Sequence, residues 1–182
     1  LMVWTGALSF TVQIYFDFLG YTHIARGASL LFNIQLPLNF NHPYHAGNIS
    51  DFWRRWHITL SRWLQDYLYI PLGGSRNPLP RTIYNLLVTM LIAGAWHGAN
   101  WTYILWGGYH GLLLALNHCF KALKKQQPQF AQWWVTLPGL SAFSVVLTFM
   151  AGVFGWVLFR AKTLPDAIGL TTRMLNLPEL YV

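Results

Sequence analysis

Charged side chains make up only 9% of this 182-residue chain, and just five of them are acidic. An ordinary soluble domain carries about 25% charged residues, so there is too little charge here to cover a water-facing surface. Five Asp and Glu in all come close to excluding carboxylate-held metals and paired-carboxylate acid–base catalysis. A single cysteine, Cys119, excludes an internal disulfide framework and says nothing of redox compartment. The chain has no P-loop, no dinucleotide fingerprint, no serine nucleophile elbow and no internal repeat. What it has in excess is apolar surface: 54% of residues are hydrophobic, with ten Trp, nine Tyr and twelve Phe. A soluble enzyme or a disordered tail would not be built this way, so a membrane-embedded chain is expected.

The net charge of +7 would suit a nucleic-acid binder, but the bases are in the wrong places for one. No charged residue occurs in the 39 positions between Arg81 and Lys121, nor in the 34 between Lys125 and Arg160. Bases flanking long uncharged tracts fit the Lys/Arg bias of membrane proteins. The expected partner is therefore a lipid bilayer, not a nucleic acid. The opening Leu1-Met2-Val3-Trp4 has neither the basic region nor the cleavage site of a signal peptide. Residues 1–182 read as a single membrane-embedded domain, part of a longer chain.

A helix needs roughly 20 apolar residues to cross a bilayer. Four stretches are candidates: Leu1 to Tyr21, Ile83 to Trp96, Trp101 to Phe120, and Leu140 to Phe159. Long runs without alternation predict helices, hence an all-α, polytopic integral membrane protein. The second stretch has 14 residues, only about 21 Å of helix. It turns at Trp96–Asn100 straight into the third, so a short intramembrane hairpin is expected, with a cavity near His97. Arg76 and Arg81 before the hairpin, and Lys121, Lys124 and Lys125 after it, put both its ends on the cytoplasmic side. Arg160 and Lys162 would then lie opposite, with Pro128 to Pro138 as a re-entrant or surface piece.

Between the first two spans, Leu36 to Tyr44 is a loop rich in Pro and Asn. Asn48 or Ser50 can cap a helix from Asp51 to Tyr69. Trp53, Trp56, His57, Leu60, Leu64 and Tyr67 share one face of that helix, while Asp51, Arg55, Arg62 and Asp66 share the other. One continuous amphipathic helix at the membrane interface is predicted. Pro71 to Pro78 ends it as a basic turn.

His97 is the leading candidate for chemistry, because a histidine inside the hydrocarbon layer is a functional hypothesis by default. Its ordinary pKa of about 6.5 lets it act as a neutral base and then carry a proton. Asn100, three residues on, can hold a substrate or the ring. His57, on an apolar face, needs a polar partner or a wet pocket. His110 could share a cavity with His97, although a helix-packing role suits it better. His42 and His45 lack further ligands, so no metal is expected. Gly73-Gly74-Ser75-Arg76 reads as a plain turn before a phosphate cradle. On residues alone, acyl transfer, proton or ion conduction through His57, His97 and His110, and a purely structural bundle all stay open.

Two blocks carry a specific resemblance. Phe52-Trp53-Arg54-Arg55-Trp56-His57-Ile58-Thr59-Leu60-Ser61, continuing to Gly74, is the first; Ala95-Trp96-His97-Gly98-Ala99-Asn100-Trp101-Thr102 with Trp106 to Gly111 is the second. Together with Leu36-Pro37-Leu38-Asn39-Phe40, they resemble the membrane-bound O-acyltransferase (MBOAT) family across about residues 15–115. Within it the chain is similar to the bacterial branch that contains alginate O-acetyltransferases and, more distantly, teichoic acid D-alanyl transferases. The resemblance implies a multi-pass protein of the bacterial inner membrane, built around a tunnel, with a catalytic histidine at His97 and a second characteristic position at His57. It implies no bound cofactor, and acetyl-CoA or another acyl thioester as cytoplasmic donor. Arg54, Arg55, Arg76 and Arg81 would draw in donor phosphates, with Asn100 and His110 near the substrates. The implied acceptor is an envelope or exported polysaccharide, reached directly or through an extracytoplasmic acetyltransferase- or esterase-like partner protein.

Overall fold

The computed structural model describes residues 2–176, and every regular element among them is helical. In order these are α1 (Met2–Leu30), α2 (Ile49–Arg55), α3 (Ile58–Leu64), α4 (Leu79–His97), α5 (Trp101–Gln126), α6 (Pro128–Thr136), α7 (Leu140–Arg160) and α8 (Leu164–Leu175). A 3₁₀ turn occupies Pro43–His45, and a π-helical turn, Gln65–Tyr69, continues α3. Each of the four expected spans becomes a helix, apart from Leu1, which lies outside the described residues. By length and composition α7 is apolar enough to cross a membrane.

The helix ends differ from the sequence reading in one consequential place. α4 begins at Leu79, because Pro80 sits in its first turn, where a missing N–H costs nothing. The helix therefore has 19 residues, about 28 Å, close to the ~30 Å hydrocarbon layer. The helix is thus longer than the 14-residue apolar stretch by its first turn, Leu79–Thr82, which carries Arg81, and by His97. Its turn also sits level with the C-terminal end of α7, since the Asn100 side chain donates to the Lys162 carbonyl at 3.0 Å.

Small residues bring α4 and α5 together. A Cβ on Gly94 or Gly107 would lie 3.3 Å from the other's Cα and would collide with the carbonyl of Tyr103 or Met90 respectively. Close backbone approach at glycine is how apolar helices associate where no hydrophobic effect drives them. Tyr109 of α5 donates to the Ala151 carbonyl of α7 at 3.0 Å, and Trp4 of α1 donates to the Met174 carbonyl of α8 at 3.2 Å. The centre is aromatic: Phe52, Trp56, Trp106 and Trp156 are all buried, and the Trp56 and Trp156 rings lie 4.6 Å apart. Outside, Leu105, Leu112, Leu116 and Leu123 leave one flank of α5 bare, as do Val12, Phe16 and Ile24 on α1. Apolar flanks of this extent call for lipid or further helices, not water.

The larger correction concerns the predicted Asp51–Tyr69 helix. Asn48 does cap its start, accepting from the Asp51 N–H at 3.0 Å. The helix then breaks at Trp56 and His57, with His57 in the left-handed region at φ 42°. The cause is tertiary. The Asn41 N–H donates to the Arg55 carbonyl at 3.0 Å, and the Ile58 N–H donates to the Asn39 carbonyl at 2.9 Å. The Leu36–Tyr44 loop thus bridges the break and takes hydrogen bonds that a continuous helix would have made for itself. The kink replaces one interfacial helix with two short ones, and Phe52 and Trp56 are buried beside it.

Candidate active site

The kink, the end of α4 and the end of α7 converge with α1 and α5 on a cavity of about 490 Å³. His57 and His97 both line it, so the two histidines carrying the sequence argument meet at one site. The walls are otherwise mostly aromatic, from Phe18, Trp53, Trp56, Trp96, Trp106, Trp156 and Phe159. His97 arrives as the last residue of α4, ended by Gly98 at φ 152°, a conformation that side chains rarely adopt. Any Cβ at Gly98 would also press on the Tyr103 ring at 3.0 Å. Ring edges hold His97 in place: its centroid lies 5.0 Å from Trp96, 5.1 Å from Trp106 and 5.0 Å from Phe159. No hydrogen bond to the described residues occupies its nitrogens, and neither is among the fully buried polar atoms left without a partner.

His57 is held differently. Its Nδ1 lies 3.0 Å from Asn39 Oδ1, and its ring meets Phe18 edge-on with centroids 4.7 Å apart. A second cavity, of about 500 Å³, lies across Trp53, which belongs to the walls of both. Leu86, Met90 and Leu114 line it on the hairpin side; Asn41, Ser50, Ser61 and Gln65 supply polar groups, and Arg54 and Arg62 supply positive charge. Among the described residues no carboxylate lines it.

Other sequence candidates are placed elsewhere. His110 lines neither cavity: it is fully buried between α2 and α7, with Trp53 and Trp106 at 5.2 and 5.0 Å and its Nε2 filling the space a Gly155 side chain would take. Neither of its nitrogens has a partner among the described residues. Asn100 is a helix cap, accepting from the Thr102 N–H at 3.1 Å, and lines neither cavity. Arg55 is tied to Asp51 at 2.9 Å, and Arg76 is exposed in the turn after the π segment. The Gly73–Arg76 stretch is a turn, held by Asn85 Nδ2 donating to the Gly74 carbonyl at 3.1 Å. Burial pushes the Asp51 carboxyl up, but hydrogen bonds from Arg55 and Arg54 outweigh this and hold it below the ordinary range. Among the described residues no three His, Cys, Asp or Glu side chains gather into a group.

Sequence reasoning passed over Asp17 and Gln13 of α1, which line the cavity with the histidines. The signal was present, since a carboxylate inside an apolar helix is itself a functional hypothesis. Arg62, on the face opposite the apolar one in the predicted helix, lines the second cavity. Asn39 gave no local signal, because its partners His57 and Thr59 lie 18 and 20 residues further on.

Comparison with known proteins bears on this site. Residues 1–159 match the model of the membrane-bound O-acyltransferase family. The chain is 45% identical over 177 residues to a peptidoglycan O-acetyltransferase of Helicobacter pylori, covering 97% of this chain and 32% of that protein. It is 47% identical over 164 residues to a probable alginate O-acetylase of Pseudomonas aeruginosa, covering 90% and 29% respectively. A teichoic acid D-alanyltransferase of Bacillus subtilis is 31% identical over 160 residues, covering 84% and 40%. The chain thus spans about a third of the length of the curated relatives it matches. With 159 of its 182 residues inside the family model, this chain belongs to the membrane-bound O-acyltransferase family, on its bacterial, alginate O-acetylase-like side.

Proposed function

We propose that this chain carries the acyl-transfer centre of a multi-pass O-acyltransferase of the bacterial cytoplasmic membrane. The whole protein would move an acetyl group from a cytoplasmic thioester to a hydroxyl of an envelope or exported polysaccharide, directly or through an extracytoplasmic acetyltransferase- or esterase-like partner. The observation that carries this reading is His57 and His97 on one aromatic-walled cavity, separated by Trp53 from an arginine-lined second one. The relatives named for O-acetylation of alginate and peptidoglycan favour acetyl as the group and a glycan as the acceptor.

The chemistry follows from an imidazole in a low-dielectric site. Neutral His97 accepts the proton of the acceptor hydroxyl as its oxygen attacks the thioester carbonyl carbon. A C–O bond forms, the C–S bond breaks, and the departing thiolate takes the proton back from His97. The aromatic walls keep water out, which suppresses hydrolysis of the thioester and strengthens each polar contact. Arg54 and Arg62, at the second cavity, suit a donor that carries phosphate.

The test is His97→Ala in the complete protein, read as acetyl incorporated into envelope glycans, with protein level and thermal unfolding as controls. Loss of a general base of this kind lowers transfer by about 10²- to 10⁴-fold. Undiminished transfer by a folded variant would overturn the reading.

A further inference from the structure

At the kink between α2 and α3, one side-chain oxygen organises everything around His57. Asn39 Oδ1 faces three groups: the Thr59 N–H at 3.2 Å, the Thr59 hydroxyl at 3.0 Å and His57 Nδ1 at 3.0 Å. Its own carbonyl takes the Ile58 N–H at 2.9 Å. A backbone N–H can only donate, so the end of the Asn39 amide facing Thr59 is the oxygen and not the NH₂ group. That oxygen can only accept, so its 3.0 Å contact with His57 Nδ1 calls for a hydrogen on that nitrogen; the Thr59 hydroxyl, 3.4 Å from the same nitrogen, makes its closer contact, 3.0 Å, with the Asn39 oxygen. The neutral ring then has its lone pair on Nε2, which no described residue engages. Asn39 is 8% exposed, so water does not readily replace this contact.

We propose that Asn39 is a positioning residue that locks His57 as the Nδ1–H tautomer and leaves Nε2 as the acceptor His57 presents to the cavity. The proposal deepens the acyltransferase reading and rests on it for its consequence. In this state His57 receives a hydrogen bond from a substrate hydroxyl or amide N–H and cannot donate one. The two cavity histidines therefore differ: His97 is free to meet substrate through either nitrogen, and His57 is committed to one.

The complete protein in lipid nanodiscs, ¹⁵N-labelled at histidine, reports the tautomer directly, with His57→Gln identifying the signal by subtraction. The expected result is a protonated Nδ1 and a bare Nε2; a protonated Nε2 in the neutral ring overturns the proposal. Asn39→Asp supplies a second readout that a merely structural role would not move. It keeps the accepting oxygen but adds a negative charge, which favours imidazolium. The acid limb of the kcat/KM profile then moves up by roughly 1 pH unit or more. Asp17 and His97, the other titratable groups on this cavity, are unaltered in that variant. An unmoved limb in the active variant also overturns the proposal. Should the wild-type protein transfer no acyl group at all, the functional reading falls, while the nitrogen spectrum still decides the tautomer.

Discussion

His97 reaches the cavity as the terminus of a 19-residue helix, clamped by ring edges and by glycines that let α4 lie against α5. His57 reaches the same cavity on a left-handed kink at φ 42°, clamped by hydrogen bonds from a loop. One region is held by packing without polar contacts to the ring; the other is a polar latch over a strained backbone. A left-handed conformation at a non-glycine residue costs about 1–2 kcal/mol, and it persists because Asn39 and Asn41 over-determine it. The packed arrangement suits a group that must have both nitrogens free. The latched arrangement suits a group whose orientation and proton are fixed in advance.

The difference can be broken hardest on the packed side. Gly107→Ala forces a methyl into the Met90 carbonyl, and backbone cannot yield as a side-chain tip can. About 3 kcal/mol or more of stability should be lost, read as a fall in thermal unfolding temperature and in the amount of folded protein. Gly152→Ala in α7 is the matched control, because nothing lies within 4 Å of its added methyl. That change should be neutral or stabilising by about 0.5–1 kcal/mol, the usual preference for Ala within a helix. Equal effects from the two substitutions would mean that α4 and α5 are not in glycine-dependent contact.

The same contrast explains what could be read in advance. His97 was legible because an unbroken apolar run, a Trp-His-Gly-Ala-Asn turn and a second apolar run are local features. The helical first turn of α4 was hidden in Leu79-Pro80-Arg81-Thr82, where proline and arginine look like loop but form a good first helical turn. The kink was not legible. Residues 51–69 have a consistent helical period, and Trp53, Trp56, His57 and Leu60 do line one cavity as that period implies. What breaks the helix is a set of hydrogen bonds from residues 39 and 41, and periodicity carries no information about partners so far away. Asp17 was visible as a lone carboxylate in an apolar span, but only the fold puts it beside the histidines.

His110 provides a sharper test, because it is fully buried and packed among rings as His97 is, yet opens onto neither cavity. Its two nitrogens have no partner among the described residues and it lines neither cavity, so its contribution is that of a flat ring among Phe52, Trp53 and Trp106. Leaving a buried polar group unsatisfied costs about 1–3 kcal/mol. An apolar replacement of similar volume removes that cost and gives up some aromatic contact. His110→Leu should therefore unfold within about 1 kcal/mol of wild type and keep its acyl transfer, unlike His97→Ala. Lost transfer with unchanged stability would bring His110 into the chemistry and end the distinction drawn between it and the cavity pair.

The smallest effect is expected on the latched side, at the base of the kink. Asp51 of α2 accepts from Arg55 at 2.9 Å and Arg54 at 3.3 Å, and Arg55 is the residue whose carbonyl the loop grips through Asn41. The arginines hold the Asp51 carboxyl below its ordinary range despite its partial burial. A carboxylate with a lowered folded-state pKa adds stability that is complete above the unfolded value of about 3.9 and fades as pH falls through the folded one. Between pH 8 and 5, Asp51→Asn should thus cost a constant amount, below about 1 kcal/mol as for other exposed pairs. Below pH 4 the wild-type protein should lose that advantage and converge on the variant. Measured unfolding curves for the two proteins should draw together only in this acid window; if they separate further there, the carboxylate is not what steadies α2 for the loop to hold.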